Sequence, residues 1–441
     1  MSSFKNLYEN IANKKANIAV IGLGYVGLPL ALAFSEVTNV VGFDLDNHKI
    51  EWLKKGIDIT KEIEDEILRK SNIKFTSNEN DIKDSNFFVI AVPTPVHADN
   101  TPNLRYIIDV SRTVGRNLQK GSIVVYESTV YPGVTEDVCI PILEDESRMK
   151  CKVDFKVGYS PERINPGDKA RSLISIRKVV SAIDDESLDI ISSIYNLILE
   201  SEAYRAESIK VAEAAKLIEN AQRDINIAFI NEVSIMMNSL GIDSKSVIET
   251  ASSKWNFIQL SPGLVGGHCI GVDPYYLTYL SEKSGYLSQV MLPGRKLNEY
   301  MSEYVVDNTI RNLIKTGVTI KGCKVGIWGF SFKENCSDIR NTKVADIISR
   351  LKKVDVEVLV YDPVVDKEKV KSEYGIEICD FDDFLNIDAL LIAVAHDEFA
   401  RYDIHDLKKK FSPNHAPVLI DVKRIYDRKL SEEKGFLYWG L

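Results

Sequence analysis

Apolar residues run almost unbroken from 16 to 21 and stop at Gly22. A short continuous apolar run ending at a glycine predicts a strand covered on both faces. Residues 28–36 then read as a helix, and 39–43 as a second strand closed by Asp44. Strand, helix and strand in that order predict a βαβ unit. Further buried-strand patterns cover 87–92, 122–126 and 155–159, with helical patterns between most of them. A short polar helix is expected ahead of the first strand, over 4–15. Alternating α and β elements predict a parallel, doubly wound sheet.

From 208 to 240 the strand signal vanishes. Val211, Ala215, Ile218 and Ala221 recur at helical spacing, continued by Ile227, Ile230 and Ile235. A helix of that length, rising about 1.5 Å per residue, is long enough to join two domains. It would serve either as a dimerisation element or as a core helix of one domain. The last third repeats the opening plan: a strand over 324–329, a helix over 344–352, and a strand over 356–360 that ends in Tyr361-Asp362, echoing Phe43-Asp44. Residues 389–394 echo 88–92, and 418–420 form a late strand. The expected fold class is therefore α/β, two Rossmann-like doubly wound domains joined by a long central helix. The second domain lacks a glycine fingerprint, so its ligand need not be a dinucleotide.

A chain of 441 residues accommodates two or three domains. Its 55 basic and 64 acidic residues leave a net charge of −9, which argues against nucleic-acid and anionic-membrane partners. Six cysteines (Cys139, Cys151, Cys269, Cys323, Cys336, Cys379) are scattered without a CxxC or zinc spacing. Disulfides and a metal site are not expected, and a reducing, cytoplasmic setting fits. The apolar run 18–34 follows Lys14-Lys15 and imitates a signal-peptide core. Its glycines and proline favour strand, turn and helix instead.

The turn Gly22-Leu23-Gly24-Tyr25-Val26-Gly27 follows a strand and opens a helix. Gly22 permits a tight turn, Gly24 lets a pyrophosphate approach the backbone, and Gly27 lets helix and strand pack closely. Asp44 lies about 20 residues on, where an acid accepts from the adenosine ribose and disfavours a 2′-phosphate. NAD is the expected cofactor, held by Gly22, Gly24, Tyr25, Val26, Gly27 and Asp44. Lys49 either reaches the ribose edge or is solvated. Thr94, in Val92-Pro93-Thr94-Pro95, and Thr129, in Glu127-Ser128-Thr129, follow strands, where ligands of such sheets bind; each is either a hydroxyl donor or a turn residue. Glu162, in Tyr159-Ser160-Pro161-Glu162-Arg163-Ile164-Asn165-Pro166, is either a base near the cofactor or a loop acid.

Lys216, Asn220 and Arg223 share one helix face and suggest an oxyanion site or a solvated stripe. Cys269 sits in Gly266-Gly267-His268-Cys269-Ile270-Gly271-Val272-Asp273-Pro274. Glycines there would let substrate approach, and nearby positive charge would favour a nucleophilic thiolate. His268 reads as a structural residue rather than a base. Lys333 and Arg340 follow the second domain's first strand and either suit a phosphate or are simply solvent-exposed, and Lys423 could join them.

Taken in order, these motifs resemble the nucleotide-sugar 6-dehydrogenases, the UDP-glucose/GDP-mannose dehydrogenase family, over residues 22–423. The resemblance implies an NAD-binding domain (1–206), a central helical dimerisation region (207–316) and a UDP-sugar-binding domain (317–441), in a cytoplasmic homodimer. It implies that Cys269 is the nucleophile, that Lys216 and Asn220 hold the oxyanion, and that Asp273 orients water. Glu162 would serve the thioester stage, with Thr129 catalytic as well as cofactor-binding. Thr94, Lys49 and Arg340 would reach NAD. The substrate contacts implied are Glu162, Arg163, Lys216, Asn220, Gly263, Val265, Gly266, Gly267, Arg295, Phe332, Lys333 and Lys423, with no metal. Val272 stands where UDP-glucose enzymes usually carry lysine. The run 263–277 looks closest to the UDP-N-acetylglucosamine dehydrogenases of capsule and Vi-antigen pathways, with UDP-N-acetylgalactosamine, UDP-N-acetylmannosamine and UDP-glucose as alternatives. The implied reaction is a four-electron oxidation of C6 to the acid through a cysteine thioester, for a surface-polysaccharide precursor. A two-electron dehydrogenase or epimerase, a non-catalytic NAD-binding protein and a structural dimerisation protein are the competing readings.

Overall fold

The computed structural model describes residues 4, 6–59, 63–164, 173–267 and 269–441. His268 and the pair Asn165-Pro166, singled out above, lie outside the described residues. The chain divides into two compact units, Met1–Glu219 with Tyr275–Tyr286, and Asn220–Pro274 with Leu287–Leu441. Among the described residues no helix is long and apolar enough to cross a membrane.

The first unit holds strands β1 (Asn17–Ile21), β2 (Asn39–Phe43), β3 (Lys74–Thr76), β4 (Ser85–Ile90), β5 (Ser122–Tyr126), β6 (Phe155–Tyr159), β7 (Val179–Ala182) and β8 (Tyr204–Arg205). They form one sheet in the order β3-β2-β1-β4-β5-β6-β7-β8. β1 to β6 are parallel to their neighbours, and β7 reverses against β6. The unbroken apolar runs have a simple cause. Ile18, Val20, Phe87 and Val89 pack into one core, while Ala19, Ile21, Phe88 and Ile90 pack into another. Both faces of the sheet are covered, so every position must be apolar. β4 ends two residues earlier than the pattern suggests. The Val92 N–H turns to the Ser128 hydroxyl (2.9 Å) ahead of Pro93, which has no N–H for the ladder.

The second unit holds β9 (Lys324–Trp328), β10 (Glu357–Tyr361), β11 (Ala389–Ile392), β12 (Val418–Asp421) and β13 (Leu437–Trp439), ordered β10-β9-β11-β12-β13 and all parallel. Val325, Ile327, Ala389 and Leu391 face one core; Trp328, Leu390 and Ile392 face the other.

The long helix spans Ile209–Ser239. Its buried apolar positions include Ala212, Leu217, Ala221, Ala228 and Ile230, whereas Val211 and Ile218 lie 47% and 52% exposed. The helical spacing is borne out, but the apolar positions do not share one inward face: Val211 and Ile218 face out. The N-terminal helix is shorter than expected, Leu7–Ala12, because Lys14 takes a left-handed φ of 58° and breaks it. The short strands β3, β7, β8 and β13 carry too few residues to display a period.

Candidate active site

At the end of β1, Gly22 takes φ +92° and donates its N–H to the Phe43 carbonyl (2.8 Å). A β-carbon on Gly27 would lie 1.8 Å from the Gly22 oxygen, so that glycine is required for the helix to start against the turn. A β-carbon on Gly24 would meet nothing within 4 Å: its space is left open by the protein itself. The helix Gly27–Val37 has no side-chain cap and no acid in its first turn, which leaves its N-terminal field to an anion. Asp44 accepts from the Leu23 N–H (2.9 Å), the Asp46 N–H (3.0 Å) and Lys49 Nζ (2.8 Å). Lys49 is thus paired to Asp44 rather than solvated. Open backbone at Gly24, an uncapped helix start and an acid at the tip of β2 fit a dinucleotide.

Further along this edge, the Ser128 hydroxyl accepts from Val92 N–H and donates to Val92 C=O (2.8 Å), tying the loops after β4 and β5 together. Thr129 follows, half-buried. Thr94 is buried, and its carbonyl and that of Pro95 each accept from the Tyr276 hydroxyl at 3.0 Å. Glu162, just past β6, accepts at one oxygen from the N–H groups of Arg163 and Ile164, both at 2.6 Å. Its other oxygen takes Lys178 Nζ (3.1 Å). Burial alone would raise this carboxyl; the lysine and the two N–H groups outweigh it and hold it below the usual range. Arg163 is engaged by Glu219 (Nε 3.1 Å) and by the Arg177 carbonyl (3.0 Å), so here it braces the loop onto the long helix.

On the long helix Lys216 and Asn220 are both buried and one turn apart, while Arg223 is exposed. The buried polar face continues instead through Glu213 and Asp224, neither of which was singled out from sequence. Glu213 accepts from the N–H groups of Gly133 (2.6 Å) and Thr135 (3.0 Å), and burial pushes it up to about 7. Asn220 donates to Asp273 (2.5 Å). Asp273 in turn donates its N–H to the Cys269 carbonyl (2.9 Å), opening the helix Asp273–Lys283. In the second unit Cys269, Asp273 and Asn220 thus form one local cluster. Cys269 is half-buried and not disulfide-bonded. By contrast, burial pushes Cys139 up to about 12 and Cys151 and Cys323 to about 11, which marks them as packing thiols.

The glycine loop before Cys269 is held by protein. Asn231 exchanges both amide hydrogen bonds with the Gly263 backbone (2.8 and 3.0 Å). A β-carbon on Gly266 would meet the Asn341 carbonyl at 2.7 Å, and one on Gly267 the Phe332 ring at 2.9 Å. These glycines admit the 330–342 loop, not only a substrate as the sequence suggested. Val265 is buried beside them. The Gly267 N–H donates to the Arg340 carbonyl (3.1 Å), and the Arg340 guanidinium grips Asp338 with two hydrogen bonds at 3.0 Å and one at 2.6 Å. Lys333 Nζ lies 5.5 Å from the Phe332 ring centre. Arg295 is fully buried against Asp224 (2.5 Å), on an interior network with Asn298 and Asn231, so it stands behind the loop. Lys423 is exposed and borders a cavity of about 130 Å³ that Lys245, Pro262 and Arg424 also line.

Comparison with known proteins gives a consistent picture. Residues 16–199, 210–300 and 326–428 match the NAD binding, central and UDP binding domains of the UDP-glucose/GDP-mannose dehydrogenase family. A UDP-N-acetyl-D-glucosamine 6-dehydrogenase of Salmonella typhi is 48% identical, over 95% of this chain and 98% of its own length. One from Pseudomonas aeruginosa is 45% identical, over 95% and 99%. The solved structure of a UDP-D-ManNAc dehydrogenase from Pyrococcus horikoshii superposes with a TM-score of 0.86 at 28% identity, covering 96% of this chain and 98% of that one.

Proposed function

The chain belongs to the UDP-glucose/GDP-mannose dehydrogenase family and is an NAD-dependent UDP-sugar 6-dehydrogenase, and from that premise we propose that it oxidises C6 of UDP-N-acetylglucosamine to the uronic acid through a thioester on Cys269. The substrate assignment follows the relatives that are 48% and 45% identical, both named for that sugar. The observation that carries the chemistry is the cluster in which Asp273 hydrogen-bonds both Asn220 and the Cys269 backbone.

NAD, held at Gly22 to Gly27, Asp44, Lys49, Thr94, Thr129 and Arg340, supplies hydride acceptance. The residues of the chain do the rest. The Cys269 sulfur bonds the aldehyde carbon of the half-oxidised sugar, and the aldehyde oxygen takes a proton. After the second two-electron oxidation that carbon is a thioester. The oxygen of a water fixed by Asp273 bonds it, the carbon–sulfur bond breaks, and one water proton returns to sulfur. Lys216 and Asn220 steady the negative oxygen; one such donor is worth about 10²–10³ in rate. Glu162, an anion, serves as acceptor at the thioester stage. Lys333, Lys423 and the loop 262–267 hold the UDP group, with Phe332 beside them. Arg163 and Arg295 support this site from behind.

We also propose the expected regions 1–206, 207–316 and 317–441, a cytoplasmic setting, and a role in making a surface-polysaccharide precursor. Homodimerisation would use the outward face of the long helix, where Val211, Ile218, Phe229 and Met236 are 47%, 52%, 56% and 46% exposed. Sedimentation at a single mass of one chain would refute it.

The decisive assay is NADH formation with UDP-N-acetylglucosamine, and with the galacto, manno and glucose sugars beside it. Two NADH per sugar are expected, with the N-acetylgluco substrate preferred. One NADH with released aldehyde would sink the thioester. Cys269→Ser should lower turnover to acid by at least about 10³-fold while NAD affinity stays unchanged.

A further inference from the structure

Three groups outside the roles assigned above surround Glu162, and each arrives by topology. β5 and β6 are parallel neighbours, so Glu127, just after β5, lies at the same sheet edge as Glu162, just after β6. β7 runs antiparallel to β6, so the residue before β7, Lys178, comes to that edge as well. Tyr195 closes the helix Asp185–Tyr195 below them. Lys178 Nζ lies 2.5 Å from Glu127 and 3.1 Å from Glu162; the Tyr195 hydroxyl donates to the second oxygen of Glu127 at 2.5 Å. The side chains of Lys178 and Glu127 are 4% and 0% exposed, that of Glu162 12%. One buried lysine therefore serves two carboxylates, of which one keeps a contact with solvent.

A carboxylate offers about four lone-pair sites. One Glu162 oxygen spends both of its sites on Arg163 and Ile164 N–H groups, and the other spends one on Lys178. Among the described residues one site remains. We propose that Lys178 is a positioning residue that fixes Glu162 as an anionic acceptor with a single open lone pair, so that Glu162 orients the reacting water or hydroxyl and does not shuttle its proton. The proposal rests on the role given to Glu162 above. Two buried carboxylates beside one cation favour proton uptake by the more deeply buried of them, Glu127. Burial raises that carboxyl despite Lys178, whereas Glu162 is held low. Among the described residues, the charged groups about Glu162 include its neighbour Arg163 and Arg163's partner Glu219 on the long helix.

The test is kcat for NADH formation against pH in the full-length chain. Glu162→Gln should lower kcat at least about tenfold and remove the acid limb that Glu162 sets. Lys178→Met should move that limb up by about one pH unit or more, and Lys178→Arg should restore it. A folded, NAD-binding Lys178→Met with the wild-type limb overturns the proposal. If Lys178→Met does not fold, Lys178→Gln, which keeps a donor but no charge, decides by its sign: an upward shift of the limb supports the proposal, and an unmoved or downward limb overturns it. Wild-type kcat and pH profile in Glu162→Gln would instead remove the role of Glu162 itself, whatever Lys178 does.

Discussion

At the end of β1 Gly22 donates to Phe43, and at the end of β9 Gly329 donates to Tyr361; both distances are 2.8 Å, with φ of +92° and +85°. Each sheet then places an aspartate after its second strand, Asp44 and Asp362. From there the two regions part. The first unit starts its helix at Gly27, five residues after Gly22, whereas the second waits until Lys343, fourteen after Gly329. The longer loop needs holding, and Asp362 does it. Its carboxylate accepts from the N–H groups of Phe330 (2.6 Å), Ser331 (3.0 Å), Val364 (2.9 Å) and Val365 (3.2 Å), and contacts His396 (3.1 Å). The His396 Nδ1 accepts the Asn335 N–H (3.0 Å), so its Nε2 carries the proton and faces Asp362. Asp44 accepts from two N–H groups, of Leu23 and Asp46, and from Lys49, and keeps 12% of its side chain exposed, against none for Asp362. One topology thus makes a glycine turn whose acid keeps a solvent-facing edge, and a loop platform whose acid is enclosed by the protein.

Exchanging the roles of the two acids should fail in opposite ways. Asp362→Asn should cost about 3 kcal/mol of stability, read by denaturant unfolding, because the loop N–H groups and His396 lose a buried anion. NAD affinity should stay within about twofold. Asp44→Asn should do the reverse, weakening NAD by about tenfold or more in a binding titration while changing stability by less than about 1 kcal/mol. Equal effects of the two changes on stability would erase the distinction. Gly24→Ala sharpens it further: with open space around the β-carbon, the melting temperature should hold while NAD affinity falls severalfold.

A smaller effect separates the units by pH. Asp362 is lowered in the folded chain: burial opposes this, but His396 and the N–H groups prevail. A lowered acid contributes stability above its unfolded value, near pH 4, and that stability is lost as pH falls further. Glu213 is raised to about 7. Between about pH 4.5 and 7 the folded state binds the extra proton, so stability declines as pH rises through that window. Thermal melts of Glu213→Gln should therefore lose the decline between pH 5 and 7, and those of Asp362→Asn the fall below pH 4. Unchanged slopes would contradict the assignment.

Much of the molecule was readable before any coordinates. β5 and β6 span the residues their apolar runs delimit, and the long helix ends within one residue of the pattern, because covering both faces of a sheet and one face of a helix imprints a local period. Cys269, Asp273 and Asn220 were named from their spacing and motif, and they meet. The orientation of the long helix was less legible, since Val211 and Ile218 are as apolar as residues that turn inward.

Sequence by itself determined the element order, the two repeated sheets, and the glycine turn with its acid, and it singled out Cys269 among the six thiols as the candidate nucleophile. Each depends on residues close together in the chain, where period and spacing carry the information. Tertiary structure alone decided which charges are spent and which remain available. Lys178 reaches Glu127 and Glu162, 51 and 16 residues away, only because β7 reverses direction beside β6. Gly266 and Gly267 prove to be small for the sake of a loop some 65–75 residues further on. The pairing of buried charges follows strand order, and the free energy of leaving one unpaired is a property of the packed interior.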